Sequence, residues 1–135
     1  GDVMRSRNPI VLSRSNPRED FRVVMEQGPD RLKNGISIVI FPQSTRRVVF
    51  NPSEFHSLGT KLAAKTGAQV IPVAIKTDFW GAGKFSQYLG PIYRSKPVHI
   101  AFGEPMPVTG TGKEEHQKII GFITKNLAIW NNDHQ

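Results

Sequence analysis

Phe41-Pro42-Gln43-Ser44-Thr45-Arg46-Arg47 is the stretch of this chain best suited to chemistry. It follows directly on a run at 36–41 dominated by β-branched and apolar residues. Two adjacent arginines, two hydroxyls and an amide behind a strand end form a set that can hold an anion. A guanidinium fork matches phosphate oxygens two at a time. A threonine hydroxyl and backbone N–H groups can complete such a cradle. In open α/β sheets, ligands bind beyond the carboxyl ends of the strands. Taken alone, the same residues also suit a solvated basic turn. Arg14, behind the short apolar run Pro9-Ile10-Val11-Leu12, is a second strand-end arginine.

Acid–base chemistry would call for a histidine with an acidic partner. The histidines are His56, His99, His116 and His134. His99 and Glu104 have a superficially suitable spacing. They fall on a strand and in the Gly-Glu-Pro turn after it, which gives them no reason to meet. His56, near the arginine loop, reads as a surface histidine. No catalytic residue and no metal ligand is therefore assigned within the chain. With no cysteine, disulfides, thiolate metal sites and a cysteine nucleophile are excluded.

The elements that must position these residues read as follows. Asn16 is a good N-cap, Pro17 suits the first helical position, and Glu19 follows three after the cap. A helix with Phe21, Val24 and Met25 on one face should end near Gly28-Pro29, with a short helical piece from 30 to 34 closed by Gly35. Residues 36–41 carry the strongest signal for a buried strand. Leu58, Leu62, Ala63 and Thr66 share a helix face, closed by Gly67. Residues 70–75 form a second strand, in which Pro72 points to an edge, a bulge or a strand end. Residues 77–96 hold five aromatics (Phe79, Trp80, Phe85, Tyr88, Tyr93) and read as a long structured loop. Residues 97–102 make a third strand. Residues 114–130 make an amphipathic helix with Ile119, Phe122, Ile123, Leu127 and Trp130 as its stripe. Apolar runs alternating with helix signals argue for an α/β layer architecture.

The chain has 135 residues, enough for one core, and no run long and apolar enough to span a bilayer. Its net charge is +7 and lies unevenly. Residues 1–100 carry 15 Lys and Arg against 7 Asp and Glu, whereas residues 101–135 carry 3 against 4. A positive field on the first part attracts anionic lipid, phosphorylated small molecules or nucleic acid. No nucleic-acid motif or basic–aromatic interleaving accompanies it, so nucleic acid is not an expected partner.

Several motifs together resemble the glycerolipid acyltransferases, the family of 1-acylglycerol-3-phosphate and lysophospholipid acyltransferases. That family carries Phe-Pro-Glu-Gly-Thr-Arg-Ser at a strand end. Phe41, Pro42, Thr45 and Arg46 match it. Upstream, Ile10-Val11-Leu12-Ser13-Arg14 and Leu32-Lys33-Asn34-Gly35 match an apolar run ending in Arg and a Leu-Lys-x-Gly turn. Downstream, the stretch from Lys61 to Ala68 and Val70-Ile71-Pro72-Val73-Ala74-Ile75 match a Lys- and Ala-rich helix and a Val-Ile-Pro-Val-Ala-like strand. Ile100-Ala101-Phe102-Gly103-Glu104-Pro105 resembles the closing strand and turn. The likeness covers roughly residues 9–108.

The resemblance implies an α/β fold with a mixed, mostly parallel sheet flanked by helices. Residues 1–135 would be the C-terminal part of a single, incomplete acyltransferase domain. The apolar edge so left should be exposed or covered by self-association. It also implies a phosphate site for the acceptor built on Arg14, Phe41, Pro42, Gln43, Ser44, Thr45 and Arg46. The family's catalytic pair, the His and Asp of His-x-x-x-x-Asp, precedes the Arg14-type motif. Thirteen residues precede Arg14 here and none is histidine, so the chain by itself should not turn over. The implied reaction moves a fatty acyl group to a lysophospholipid or glycerol phosphate hydroxyl. Acyl-CoA or acyl carrier protein is the co-substrate, with no other cofactor and no metal. The implied setting is an anionic membrane surface on the cytoplasmic side, reached peripherally or through other segments. Gln43 and Ser44 stand where the family has Glu and Gly, so the contact made by that Glu is altered. A phospholipid- or phosphoanion-binding module without chemistry is the alternative.

Overall fold

A computed structural model describes residues 9–13, 15–43, 50–77, 92, 95 and 97–132. The elements in order are α1 (Pro17–Lys33), a 3-10 turn (Pro52–Glu54), α2 (Leu58–Thr66), β1 (Gln69–Val70), β2 (Val73–Lys76), β3 (His99–Phe102), β4 (Met106–Pro107) and α3 (Lys113–Asn132). The long loop expected at 77–96 lies almost wholly outside the described residues.

α1 begins as its cap residues dictate. The Asn16 side chain accepts hydrogen bonds from the Arg18 and Glu19 N–H groups at 3.1 and 3.3 Å. Glu19 does not return to the cap; it pairs with Arg22, and that guanidinium holds the Glu19 carboxyl below its ordinary pKa. The helix does not stop at Gly28-Pro29 but runs unbroken to Lys33. A proline inside a helix leaves the carbonyl four residues earlier without its N–H partner. Here that carbonyl belongs to Met25, and Lys65 of α2 donates its Nζ–H to it at 2.9 Å. Gly28 meets the same neighbour: a Cβ there would lie 2.8 Å from a Leu62 methyl carbon. The apparent stop signal is thus the seat of α2 on α1. The true end is a Schellman turn, in which Gly35 N–H donates to Leu32 O and Ile36 N–H to Arg31 O, with Gly35 at φ 74°.

The described strands pair antiparallel in two short ladders, and no parallel sheet is present among the described residues. β1 pairs with β4 (Gln69↔Pro107, Val70↔Met106), and β2 pairs with β3 (Val73↔Phe102 through Lys76↔His99). Between these two ladders Ile71 and Pro72 face Gly103, Glu104 and Pro105, so the returning strand holds one extra residue. This is a β-bulge, and Pro72 sits at it. The Gly103 N–H donates to Pro72 O at 2.9 Å. A Cβ on Gly103 would stand 2.6 Å from Pro72 Cγ and 3.1 Å from a Phe122 ring carbon, so the close approach requires glycine.

The bulge has a consequence for the core. Side chains alternate along a strand, so one extra residue reverses their faces. Ala101 and Met106 would otherwise point to opposite sides; both instead pack against the cluster of Ala74, Ile119 and Ile123. α3 supplies the last two, and Phe122, Leu127 and Trp130 join them, as the helical stripe predicts. Lys76 Nζ–H donates to Trp130 O at 3.0 Å, and the His99 ring stacks on the Trp130 ring with centroids 5.2 Å apart. This settles His99 as a packed residue of the sheet, while Glu104 projects from the bulge into solvent.

Residues 36–41 correct the strongest strand expectation. No described strand pairs with them. Ile38 and Ile40 are half-buried, whereas Val39 and Phe41 are 78% and 77% exposed. The alternation is that of a strand with a single covered side. Intrinsic preference makes the segment extended, but a ladder needs a neighbour to receive its N–H and C=O groups.

Glu115, in the first turn of α3, is buried. Its Oε1 accepts from the Thr109 N–H at 3.2 Å and the Thr109 hydroxyl at 3.1 Å. Its own backbone N–H and that of Thr109 hold its carboxyl below the ordinary 4.5, against the opposing effect of burial.

Two outcomes follow from these contacts. Gly103→Ala is expected to destabilise the fold by about 1–3 kcal/mol, read from denaturant midpoints, because the proline ring has no room to retreat. Glu115→Gln is expected to lower the melting temperature at neutral pH. A carboxyl whose folded pKa is depressed contributes stability above its unfolded pKa and loses it as pH falls through the folded value. The gap between wild type and Glu115→Gln in melting scans therefore narrows as the pH falls below the ordinary 4.5 and through the lower folded value. A gap that does not narrow at all as the pH falls below 4.5 would contradict this.

Candidate functional site

The described part of the arginine loop is its two feet. On the entry side, Phe41 is exposed, and Pro42 and Gln43 are half-buried. The Pro42 carbonyl accepts a hydrogen bond from the His56 N–H at 3.3 Å. On the return side, the Phe50 ring packs edge-on against Phe55, with centroids 5.7 Å apart, and Phe55 in turn lies 5.6 Å from the His116 ring of α3. Both feet are thus fastened to the segment from 51 to 57.

That segment is stiff for local reasons. The Asn51 side chain accepts from Ser53 N–H at 3.1 Å and from the Ser53 hydroxyl at 2.8 Å. Its amide donates to Glu54 Oε1 at 3.2 Å. Pro52 opens the 3-10 turn where its missing N–H costs nothing. Ser44, Thr45 and Arg46 fall between the two feet and lie outside the described residues, as does Arg14.

Gln43 carries the clearest chemical signal of the described site. Its Nε2 is closed off from solvent and has no hydrogen-bond partner among the described residues. A buried amide donor without a partner costs roughly 1–3 kcal/mol. Gln43 stands where the resembling motif has Glu. An amide can donate to a phosphate or carbonyl oxygen, which an ionised carboxylate cannot do.

The surroundings of Arg14 are equally anchored. Ser13 donates to Asp20 Oδ1 from its N–H at 2.8 Å and from its hydroxyl at 3.1 Å. The Ser15 hydroxyl donates to the Ser13 hydroxyl at 3.1 Å. Asp20 was not singled out by its sequence position. Its signal was an acid in the first turn of a helix, where the dipole favours negative charge.

His56 is exposed and touches the site through its backbone N–H. Among the described residues no group of three or more His, Asp or Glu side chains could hold a metal ion. No described helix is long and apolar enough to cross a membrane. An open cleft of about 460 Å³ between the C-terminal ends of α1 and α2 is lined by Leu32, Lys33, Lys65 and Gly67, and includes none of the residues expected to hold the phosphate.

The chain is 29% identical over 125 residues to the 1-acyl-sn-glycerol-3-phosphate acyltransferase of Pseudomonas aeruginosa PAO1. This chain is similar to an acyltransferase. The match takes in 89% of the chain and 46% of the relative, so the chain spans about half the length of the curated relative it matches. No family profile matches the chain, and no solved structure matches it.

Asp20→Ala unties Ser13 and is expected to cost about 0.5–1.5 kcal/mol. Amide exchange at Ser13 should accelerate while exchange in α3 stays unchanged. Residues 9–13, expected to end in a strand, form none in the structure, and unchanged protection at Ser13 would show that the bond does not hold this segment in place.

Proposed function

We propose that this chain is the acceptor-binding part of an acyltransferase that moves a fatty acyl group from acyl-CoA or acyl carrier protein to a lysophospholipid or glycerol phosphate hydroxyl. The observation that carries the reading is the likeness to the Pseudomonas acyltransferase over 89% of the chain. The Phe41-Pro42-Gln43-Ser44-Thr45-Arg46 motif, with both feet of its loop anchored, supports it.

In this reading Arg46 and Arg14 hold the acceptor phosphate by charge-assisted forks. The Thr45 hydroxyl and the Gln43 amide add directed hydrogen bonds, and the unpartnered Gln43 Nε2 is the donor so used. Phe41 and Pro42 shape the entry. The proton transfer belongs to a His–acid pair outside these 135 residues. There the histidine takes the proton of the acceptor hydroxyl, the oxygen attacks the acyl thioester, and the thiol leaves with a proton. The positive field of residues 1–100 draws the protein to an anionic bilayer, where acceptor and donor chains reside.

A second reading, a phosphoanion- or phospholipid-binding module without chemistry, is favoured by Gln43 and Ser44. A neutral amide binds an anion better than the carboxylate it replaces.

Calorimetric titration with glycerol 3-phosphate tests the site. Arg46→Ala is expected to weaken binding by tenfold to a hundredfold, and Arg46→Lys by less, since it keeps the charge but loses the fork. Equal binding by wild type and Arg46→Ala would remove the arginine loop from the site. An acyl-transfer assay on lysophosphatidate separates the two readings. The 135-residue chain should bind without turnover, and the polypeptide that includes the upstream coding region should turn over. Binding without turnover in both would favour the second reading.

A further inference from the structure

Of the asparagines, Asn34 alone is followed by glycine. Asn8, Asn16 and Asn51 precede prolines, and Asn126, Asn131 and Asn132 precede leucine, asparagine and aspartate. The following residue decides how readily an asparagine reacts with its own backbone. Its nitrogen attacks the side-chain amide carbon and expels ammonia, closing a succinimide ring. A proline nitrogen has no proton to give up, and any side chain on the following residue crowds the ring. Glycine has neither handicap. Around Gly35 the space is open too, since a Cβ there would meet nothing within 4 Å. Asn34 and Gly35 are both exposed to the water that completes the reaction, and the chain on either side of them is described from 15 to 43.

The folded turn holds the reaction back at three points. Asn34 has ψ 13°, so the Gly35 nitrogen lies nearly eclipsed with the Asn34 nitrogen and is turned away from the side chain. The Gly35 N–H is committed to Leu32 O at 3.1 Å. The Asn34 side-chain amide donates to Asp30 O at 2.8 Å and to Asp30 Oδ1 at 3.3 Å. These bonds all lie in the last turn of α1 and its cap. Fraying of that turn breaks them together and leaves the contact of Gly28 with Leu62 in place.

We propose that Asn34 is a site of spontaneous deamidation, gated by fraying of the last turn of α1, and that the product cannot rebuild that turn. Water is the sole co-reactant. Gly35 N bonds to Asn34 Cγ, the Cγ–Nδ2 bond breaks, and ammonia leaves with the Gly35 proton. Water then opens the ring at either carbonyl. One opening leaves an aspartate at position 34, and the other an isoaspartate, whose main chain runs through its side chain. The aspartate loses both donor bonds to Asp30. It also sets a second carboxylate against Asp30 Oδ1, at the negative end of the helix dipole. The isoaspartate lengthens the main chain by one carbon and carries the Gly35 and Ile36 N–H groups away from Leu32 O and Arg31 O. That turn starts the segment 36–43, so the change is passed towards Pro42 and Gln43. The inference rests on the bonds of the turn and does not depend on acyl transfer.

The test is to hold the intact protein in heavy-oxygen water at mildly alkaline pH, digest it in ordinary water and map the peptides by mass spectrometry. Label is expected at position 34 before any other asparagine, in both aspartate and isoaspartate forms. The rate should be about tenfold to hundredfold below that of a free peptide spanning residues 30–38, the factor by which closed turns outnumber frayed ones. Asn34→Gln, whose larger ring closes far more slowly, should take up no label there. Asn34→Asp installs one product directly and should melt roughly 2–6 °C below wild type. Label appearing first at Asn126, Asn131 or Asn132 overturns the proposal. So does an absence of label at position 34 after about a hundred half-lives of the peptide. A rate equal to that of the peptide would mean that the turn gates nothing, and an Asn34→Asp protein that melts with wild type would mean that the turn rebuilds around the product. Either result overturns the proposal as well.

Discussion

Gly103 lies so close to the Pro72 ring that no side chain fits between them, and the Gly103 N–H closes onto the Pro72 carbonyl. That contact fixes where the ribbon takes up its extra residue. The extra residue turns Met106 to the same side as Ala101, and the joint surface of Val70, Ala74, Ala101 and Met106 is what α3 covers. Remove the bulge and one of the two ladders presents its wrong face to Ile119 and Ile123. The small core is therefore conditional on one backbone approach, and the position of α3 follows from it.

The same economy appears where α1 meets α2. Pro29 withdraws an N–H from the helix and Gly28 withdraws a side chain, and both omissions face α2. Leu62 fills the space left by one, and Lys65 satisfies the carbonyl freed by the other. α2 also contacts β1 and α3, so it joins the first helix to the ribbon. The arginine loop leaves and returns beside α2, with its feet held by Pro42, Phe50 and the 51–57 segment. If the loop binds phosphate as proposed, such feet leave less ordering to be done on binding.

In the proposed reading, binding and chemistry are separable. The basic residues, the hydroxyls and the unpartnered Gln43 amide are groups of a chemistry that can hold an anion. The described histidines are otherwise engaged: His99 lies on Trp130, His116 beside Phe55, and His56 offers the site its backbone alone. A division in which one part grips the acceptor and another moves the proton is consistent with the extent of the match to the acyltransferase relative.

Much was legible in the residues alone. The Asn16 cap, the Gly35 and Gly67 helix ends, the stripe of α3 and the break at Pro72 follow from local rules: which side chains satisfy helix-end N–H groups, which backbones accept a positive φ, which residue lacks a donor. The phosphate-suited loop was legible for the same reason, since its chemistry is that of its side chains. Tertiary structure decided what depends on partners distant in sequence. Gly28-Pro29 reads as a stop until Leu62 and Lys65 are placed beside it. Residues 36–41 read as a buried strand, yet burial requires a neighbour, and no described strand supplies one. The antiparallel sense of the sheet was likewise decided in three dimensions, because apolar runs record how buried a strand is and not which way its neighbour travels.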